Sequence, residues 1–132
     1  MNASSSYKPF SGMFRRKVTG GRRIRLPAKF VSGPICRFRM LIVQSQFLRL
    51  IPVCDSSQAA PMKVLEAQVD YGEVEVRNRY LRVLRQITGQ LFKTGQVVVL
   101  GMLNVIEIFD LAVWQQKQAA ALDNLHRLGS FQ

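Results

Sequence analysis

Apolar and polar residues alternate along this chain mostly in short stretches with period two. Arg23-Ile24-Arg25-Leu26 puts Ile24 and Leu26 on one face and Arg23 and Arg25 on the other, as in a half-buried strand. Gly20-Gly21 marks the turn before it. Pro27 ends it, and Pro27-Ala28-Lys29-Phe30 suits one helical turn with proline first. Met40 to Val43 and Phe47 to Val53 then predict a hairpin around Gln44-Ser45-Gln46. Farther on, Val74 and Val76 alternate with Glu73 and Glu75 as a strand. Tyr80, Leu81, Leu84 and Ile87 fall at helical spacing, with Gly89 placed to stop that helix. Val97 to Leu100 and Val105 to Phe109 predict a second hairpin around Gly101 to Asn104. The Ala-, Gln- and Leu-rich tail reads as a helix that Asp110 caps and Gly129 ends.

The order strand, turn, strand, short helix, hairpin therefore occurs twice. Halves of about 50 residues are too small to fold alone, so they are expected to interleave into one barrel-like core. The predicted class is mostly β with short helices (α+β). Residues 1–12 read as a flexible arm, 13–60 as a first copy, 61–110 as a second copy and 111–132 as a C-terminal helix; residues 54–62 read as a linker.

Charge changes the picture. The net charge is +11, and ten Lys/Arg lie between Met1 and Arg39, where there is no Asp or Glu. From Met40 onward nine basic residues face eight acidic ones, so the field sits at one end of the chain. A polyanion partner follows, because neutralising phosphates releases counterions. The candidate nucleic-acid-binding residues are Arg15, Arg16, Lys17, Arg22, Arg23, Arg25 and Lys29. Arg15, Arg16 and Lys17, with Lys8, are read as part of a mobile arm able to reach the backbone or a minor groove. The competing role for Arg23 is an ion pair with a core-edge carboxylate, Asp70 lying in the equivalent element of the other copy.

Other chemistry is poorly supported. His126 is the only histidine and lies in the tail, so no Ser-His-Asp or Cys-His arrangement is expected, and no paired ligands point to a metal or a cofactor. Gly20-Gly21 lacks the remainder of a phosphate loop. Cys36 and Cys54 have no CxxC spacing and read as reduced thiols. No stretch has the roughly 18 apolar residues of a membrane span. Phe10, Phe14, Phe30 and Phe38 interleave with cations and are read as core before base-stacking. Leu111, Trp114, Leu122, Leu125 and Leu128 read as intrachain or subunit packing.

Several stretches resemble the MraZ family, which carries two tandem SpoVT/AbrB swapped-hairpin motifs. Met13-Phe14-Arg15-Arg16 is similar to the family's opening, which makes residues 1–12 an extension or Met13 an alternative start. Arg23 to Pro27 matches the second part of the first-copy motif, with Thr19 and Arg22 standing where the family has aspartate and glycine. Leu48-Arg49-Leu50-Ile51-Pro52 resembles a family strand, and Val97 to Gln116 keeps Gly101, Asn104, Glu107, Asp110 and Trp114. In the second copy the arginine position is read as Glu73, a shifted register placing Arg77 there instead at the cost of the strand alternation. The resemblance implies a double swapped-hairpin AbrB-like barrel with a C-terminal helix. It also implies a DNA-binding transcriptional regulator or nucleoid-type protein, homo-oligomeric and cytoplasmic, contacting DNA through the basic first copy. It implies no enzyme and no small-molecule substrate.

Two further classes compete. A structural RNA-binding protein of a ribosomal or organellar assembly, mitochondrial in location, fits the basic N-terminal region and the neutral second copy. An antitoxin-like module shares the fold, but the neutral tail fits it poorly.

Overall fold

The computed structural model describes residues 10–53 and 67–129, with side chains up to residue 125. Eight strands are formed: β1 (Phe10–Thr19), β2 (Arg23–Arg25), β3 (Ile35–Val43), β4 (Phe47–Pro52), β5 (Gln68–Arg77), β6 (Tyr80–Arg82), β7 (Gln96–Leu103) and β8 (Val105–Asp110). A 3-10 turn, Ala28–Phe30, follows β2. Helix α1 (Arg85–Leu91) follows β6, and helix α2 (Leu111–Gly129) follows β8. The strands close an antiparallel barrel in the order β1-β2-β6-β5-β3-β4-β8-β7, with β7 returning to β1. The protein is thus a mostly β, α+β barrel, and its two halves interleave as the pattern predicted.

Pairings within one half alternate around the barrel with pairings between halves. Exchanging each strand for its counterpart four strands along reproduces the same cyclic order. The β2–β6 pair lies on this pseudo-twofold relation, with Ile24 opposite Leu81 at its centre. The β4–β8 pair lies on it too, four strands away in either direction.

Alternation decides what fills the barrel. Ile24, Leu26, Leu48, Leu50, Leu81, Val97, Val99, Ile106 and Ile108 point inward and are buried. Each such side chain contributes on the order of 1.5–3 kcal/mol. Phe30 makes edge-to-face contacts with Phe10 and Phe14, both at 5.5 Å between ring centres, and Phe38 is buried beside them. Phe30 and Phe38 are thus core residues, and Phe10 and Phe14, partly buried, pack against that core. On the outside of the wall, Leu41, Val43, Phe47, Val98, Leu100 and Phe109 form a second apolar cluster, covered by Leu111, Val113 and Trp114 at the start of α2. Asp110 sets that helix in place. Its Oδ2 accepts the Ala112 N–H at 3.0 Å, capping α2, and its Oδ1 accepts from the Thr94 N–H and hydroxyl. At the β4–β8 seam, Glu107 Oε2 accepts from Arg49 Nε (3.0 Å) and Nη2 (2.8 Å), both side chains nearly buried.

The structure corrects several expectations. Tyr80 and Leu81 do not enter the helix: Tyr80–Arg82 is a strand, and α1 starts only at Arg85. The reason is tertiary, since β6 completes the sheet beside β2 and Leu81 and Val83 alternate inward. Gly89 lies inside α1, which runs on to Leu91. Residues 10–12, expected at the end of the arm, already belong to β1. Residues 1–9, the linker at 54–62 and Cys54 lie outside the described residues. So do the side chains of His126 and Leu128.

Gly101 shows why a side chain is excluded from β7. A Cβ there would stand closer to the Ser11 amide nitrogen than real carbon atoms come, and 2.6 Å from the Phe10 carbonyl carbon. Gly101→Ala is therefore expected to prise β1 from β7 and cost about 1–3 kcal/mol. A Cβ on Gly89, by contrast, meets nothing within 4 Å. Gly89→Ala is expected to raise stability by roughly 0.5–1 kcal/mol through better helix propensity. Urea unfolding of the two variants checks both signs.

Candidate nucleic-acid interface

In a two-stranded ribbon the residues between inward positions project outward. In β2 these are Arg23 and Arg25, both exposed while Ile24 between them is fully buried. In β6 they are Tyr80 and Arg82, flanking buried Leu81. The register sets Arg23 opposite Arg82 and Arg25 opposite Tyr80. β1 lies next to β2 and adds exposed Arg15 and Lys17. Arg22 is exposed in the preceding turn, where its carbonyl accepts the Val83 N–H. Arg85, exposed at the start of α1, follows β6 closely.

The carboxylates are placed elsewhere. None lies in β1, β2 or β6. On the β3–β5 wall, Asp70 pairs with Arg39, Glu73 with Arg37 at 3.8 Å, and Glu75 with Arg77 at 2.8 Å. Glu107 is held by Arg49 and Asp110 by Thr94 and Ala112. Five of the eight acidic residues are thus engaged by arginines of β3, β4 and β5 or, for Asp110, by Thr94 and the α2 cap. β5 itself borders β6, and the Glu75 carboxylate there is taken up by Arg77.

The seven residues selected from sequence do not all meet. Arg15, Lys17, Arg22, Arg23 and Arg25 gather on or beside the ribbon. Arg15 to Lys17 lie in β1 and not in a mobile arm. Arg16 points to the other side of β1: its Nε donates to the Arg25 carbonyl at 3.1 Å, its Nη1 to the Arg15 carbonyl, and its guanidinium lies over Phe14. Lys29 sits apart, its Nζ 5.3 Å from the Phe14 ring centre. Arg23 makes no pair with Asp70; its guanidinium carbon lies 5.6 Å over the Tyr80 ring.

Sequence reasoning missed Arg82, Tyr80 and Arg85. It equated Glu73 with the arginine of the first copy, but Glu73 is in β5, and the strand beside β2 is β6. The counterpart of Arg23 under the exchange of halves is Tyr80. The available signal was the alternation Leu81-Arg82-Val83, which copies Ile24-Arg25-Leu26.

The Gly72 N–H donates to Asp70 Oδ1 at 2.7 Å, and this bond, helped by Arg39, holds the Asp70 carboxyl below its ordinary value of 3.8. A depressed folded value means that this group stabilises the fold above the ordinary value and loses that contribution as pH falls through the folded one. The side chain is about half exposed, so the effect is small. Asp70→Asn is expected to flatten the acid limb of stability slightly, checked by urea midpoints from pH 5 down to pH 2.

Among the described residues no cluster of His, Cys, Asp or Glu is arranged to hold a metal ion, and no helix is long and apolar enough to cross a membrane. No protein-family model matches the chain, and no curated protein is significantly similar to it.

Proposed function

We propose that this chain binds duplex nucleic acid through the outer face of the β2–β6 ribbon, flanked by β1, as a DNA-binding regulator or nucleoid-type protein of the MraZ and AbrB kind. The observation that carries this reading is the convergence of Arg23, Arg25 and Arg82 on one ribbon without a carboxylate. Like charges directly opposite across strands destabilise a sheet. A fold that keeps Arg23 against Arg82 gains from a partner that neutralises both. Neighbouring strands lie about 5 Å apart, so a two-stranded ribbon fits the roughly 12 Å major groove. Guanidinium forks there grip phosphates or the O6 and N7 of guanine.

The kinship with swapped-hairpin proteins is supported by the strand order, which is unchanged when the halves are exchanged. The close approach at Gly101 and the cap at Asp110 give physical reasons for two residues of the resemblance. A structural RNA-binding role is the second reading, favoured by the aromatic ring of Tyr80 among the cations.

Affinity for a duplex should fall steeply with salt, the slope of log K against log salt being about −0.9 for each phosphate neutralised. Arg23→Ala with Arg25→Ala is expected to weaken binding by a few kcal/mol, at roughly 1–3 kcal/mol per good contact. Arg82→Ala should weaken it comparably, whereas Arg16→Ala and Glu73→Ala should leave it nearly unchanged. Fluorescence anisotropy at matched salt, with DNA duplexes and structured RNA in parallel, reads all of these. A flat salt response removes the electrostatic basis of the proposal.

Assembly belongs to the same proposal. Leu122 and Leu125 are about 60% exposed on α2, whose Leu111, Val113 and Trp114 cover the barrel. Truncation after Lys117 is expected to leave the barrel folded and to lower the mass seen by sedimentation. An unchanged mass would show that the tail does not join subunits.

A further inference from the structure

The β2–β6 ribbon is nearly its own symmetry mate, and the one place where it departs is chemically specific. With Ile24 opposite Leu81 at the centre, exchange of the halves carries Arg25 onto Arg82 and Arg23 onto Tyr80. The first pair keeps its chemistry. The second replaces a guanidinium by a phenol ring, on an outer face that otherwise carries only cations.

Three observations show that the ring is held in place. Arg23 stands directly opposite Arg82, but its guanidinium leans diagonally over Tyr80, 5.6 Å from the ring centre. Diagonal neighbours are within reach of long and aromatic side chains, and the lean takes Arg23 away from its like-charged opposite. The turn leading into Tyr80 is made by Asn78 at φ 50° and Arg79 at φ 73°, both left-handed, a conformation that arginine rarely adopts. The corresponding turn of the first half uses Gly20 and Gly21 instead. Arg79 is also fastened to the end of β2, its carbonyl accepting the Leu26 N–H at 2.7 Å and its Nε donating to the Leu26 carbonyl at 3.0 Å. Tyr80 thus starts β6 directly after a tight, strained turn that is tied to the neighbouring strand.

We propose that Arg23 and Tyr80 form a stacking platform for one unpaired nucleobase, so that the preferred partner is a nucleic-acid helix that carries an unpaired base. This rests on the nucleic-acid reading of the ribbon given above. A base laid against this cation–π pair finds both a guanidinium and an aromatic ring, and unstacked bases bind to either. Arg25 and Arg82 lie beside the platform and hold the phosphates that flank the base. A perfect duplex offers such a base only after unstacking, which costs energy; a bulge or loop offers it at once. The target is correspondingly one-sided, because the half of the ribbon bearing Arg23 and the half bearing Tyr80 no longer make equivalent contacts.

The test measures the full chain by fluorescence anisotropy at one salt concentration. The probes are a labelled 20-base-pair DNA duplex, the same duplex with a single-nucleotide bulge, and the two corresponding RNA helices. The bulged form is expected to bind at least about fivefold more tightly than its perfect counterpart, in DNA, in RNA or in both. Tyr80→Ala should abolish that preference, bringing the affinity for the bulged helix down to that for the perfect one. Tyr80→Phe should retain the preference. Tyr80→Arg, which places on β6 the residue that the first half carries and keeps the surface soluble, should lose the preference and bind the perfect duplex more tightly. Equal binding of bulged and perfect helices by the unaltered chain overturns the platform while leaving the ribbon as a nucleic-acid surface. Preference that survives both Tyr80→Ala and Tyr80→Arg also overturns it. Failure to bind any of the four probes at low salt overturns the nucleic-acid reading itself and the platform with it.

Discussion

Every strand of this chain has to find two neighbours, and neither half can supply them alone. Each half makes two hairpin-like pairs, β1–β2 with β3–β4, or β5–β6 with β7–β8. The remaining edges are paired only by the other half, through β1–β7, β2–β6, β3–β5 and β4–β8. An open edge would leave backbone donors and acceptors unpaired, which is costly when buried and a template for aggregation when exposed. Barrel closure gives every strand a neighbour on both sides. The core, the outer apolar cluster and the basic ribbon are consequences of that closure, because each is assembled from residues of both halves.

The placement of charge follows from the same pairing. The β3–β5 seam sets Arg37 opposite Glu75 and Arg39 opposite Glu73, so the acidic residues of β5 meet the last cations of the basic N-terminal region. The β2–β6 seam has no acidic strand to offer, and arginine there meets arginine. A charge asymmetry spread along the sequence becomes, after folding, an asymmetry between two sides of a barrel. The buried Arg49–Glu107 pair at the β4–β8 seam is different in kind. Removing one partner from such a pair leaves a charge in a poorly solvated place, so the pair favours the register in which the two side chains meet.

Much of this was legible in the sequence. The alternation around Ile24 and Leu26, both hairpins, the doubled order of elements and the Asp110-capped tail could be read from period and punctuation. What could not be read was decided by distant neighbours. Tyr80 to Val83 fits a period of two as well as one of 3.6, and only the presence of β2 selects the strand. The same ambiguity moved the second-copy motif onto Glu73 and hid Arg82 from the candidate site. Arg16 was indistinguishable from Arg15 and Lys17 as a member of a basic run, yet strand alternation turns it toward Phe14 and the Arg25 carbonyl. Charge density identified the region, and parity along the strand decided which cations face outward.

The alternating seams also bear on how many chains make one barrel. Two molecules that traded halves would satisfy each inter-half pairing as fully as one molecule does, since no hydrogen bond of the wall depends on which chain supplies the neighbouring strand. The native contacts alone do not distinguish the closed monomer from the exchanged dimer. The difference is entropic: a covalent connection from β4 to β5 makes the pairing of the halves intramolecular and so raises their effective concentration. Monomeric closure is then a property of that connection and of protein concentration, and a change confined to the connection would alter the stoichiometry of the barrel without touching a residue of its wall.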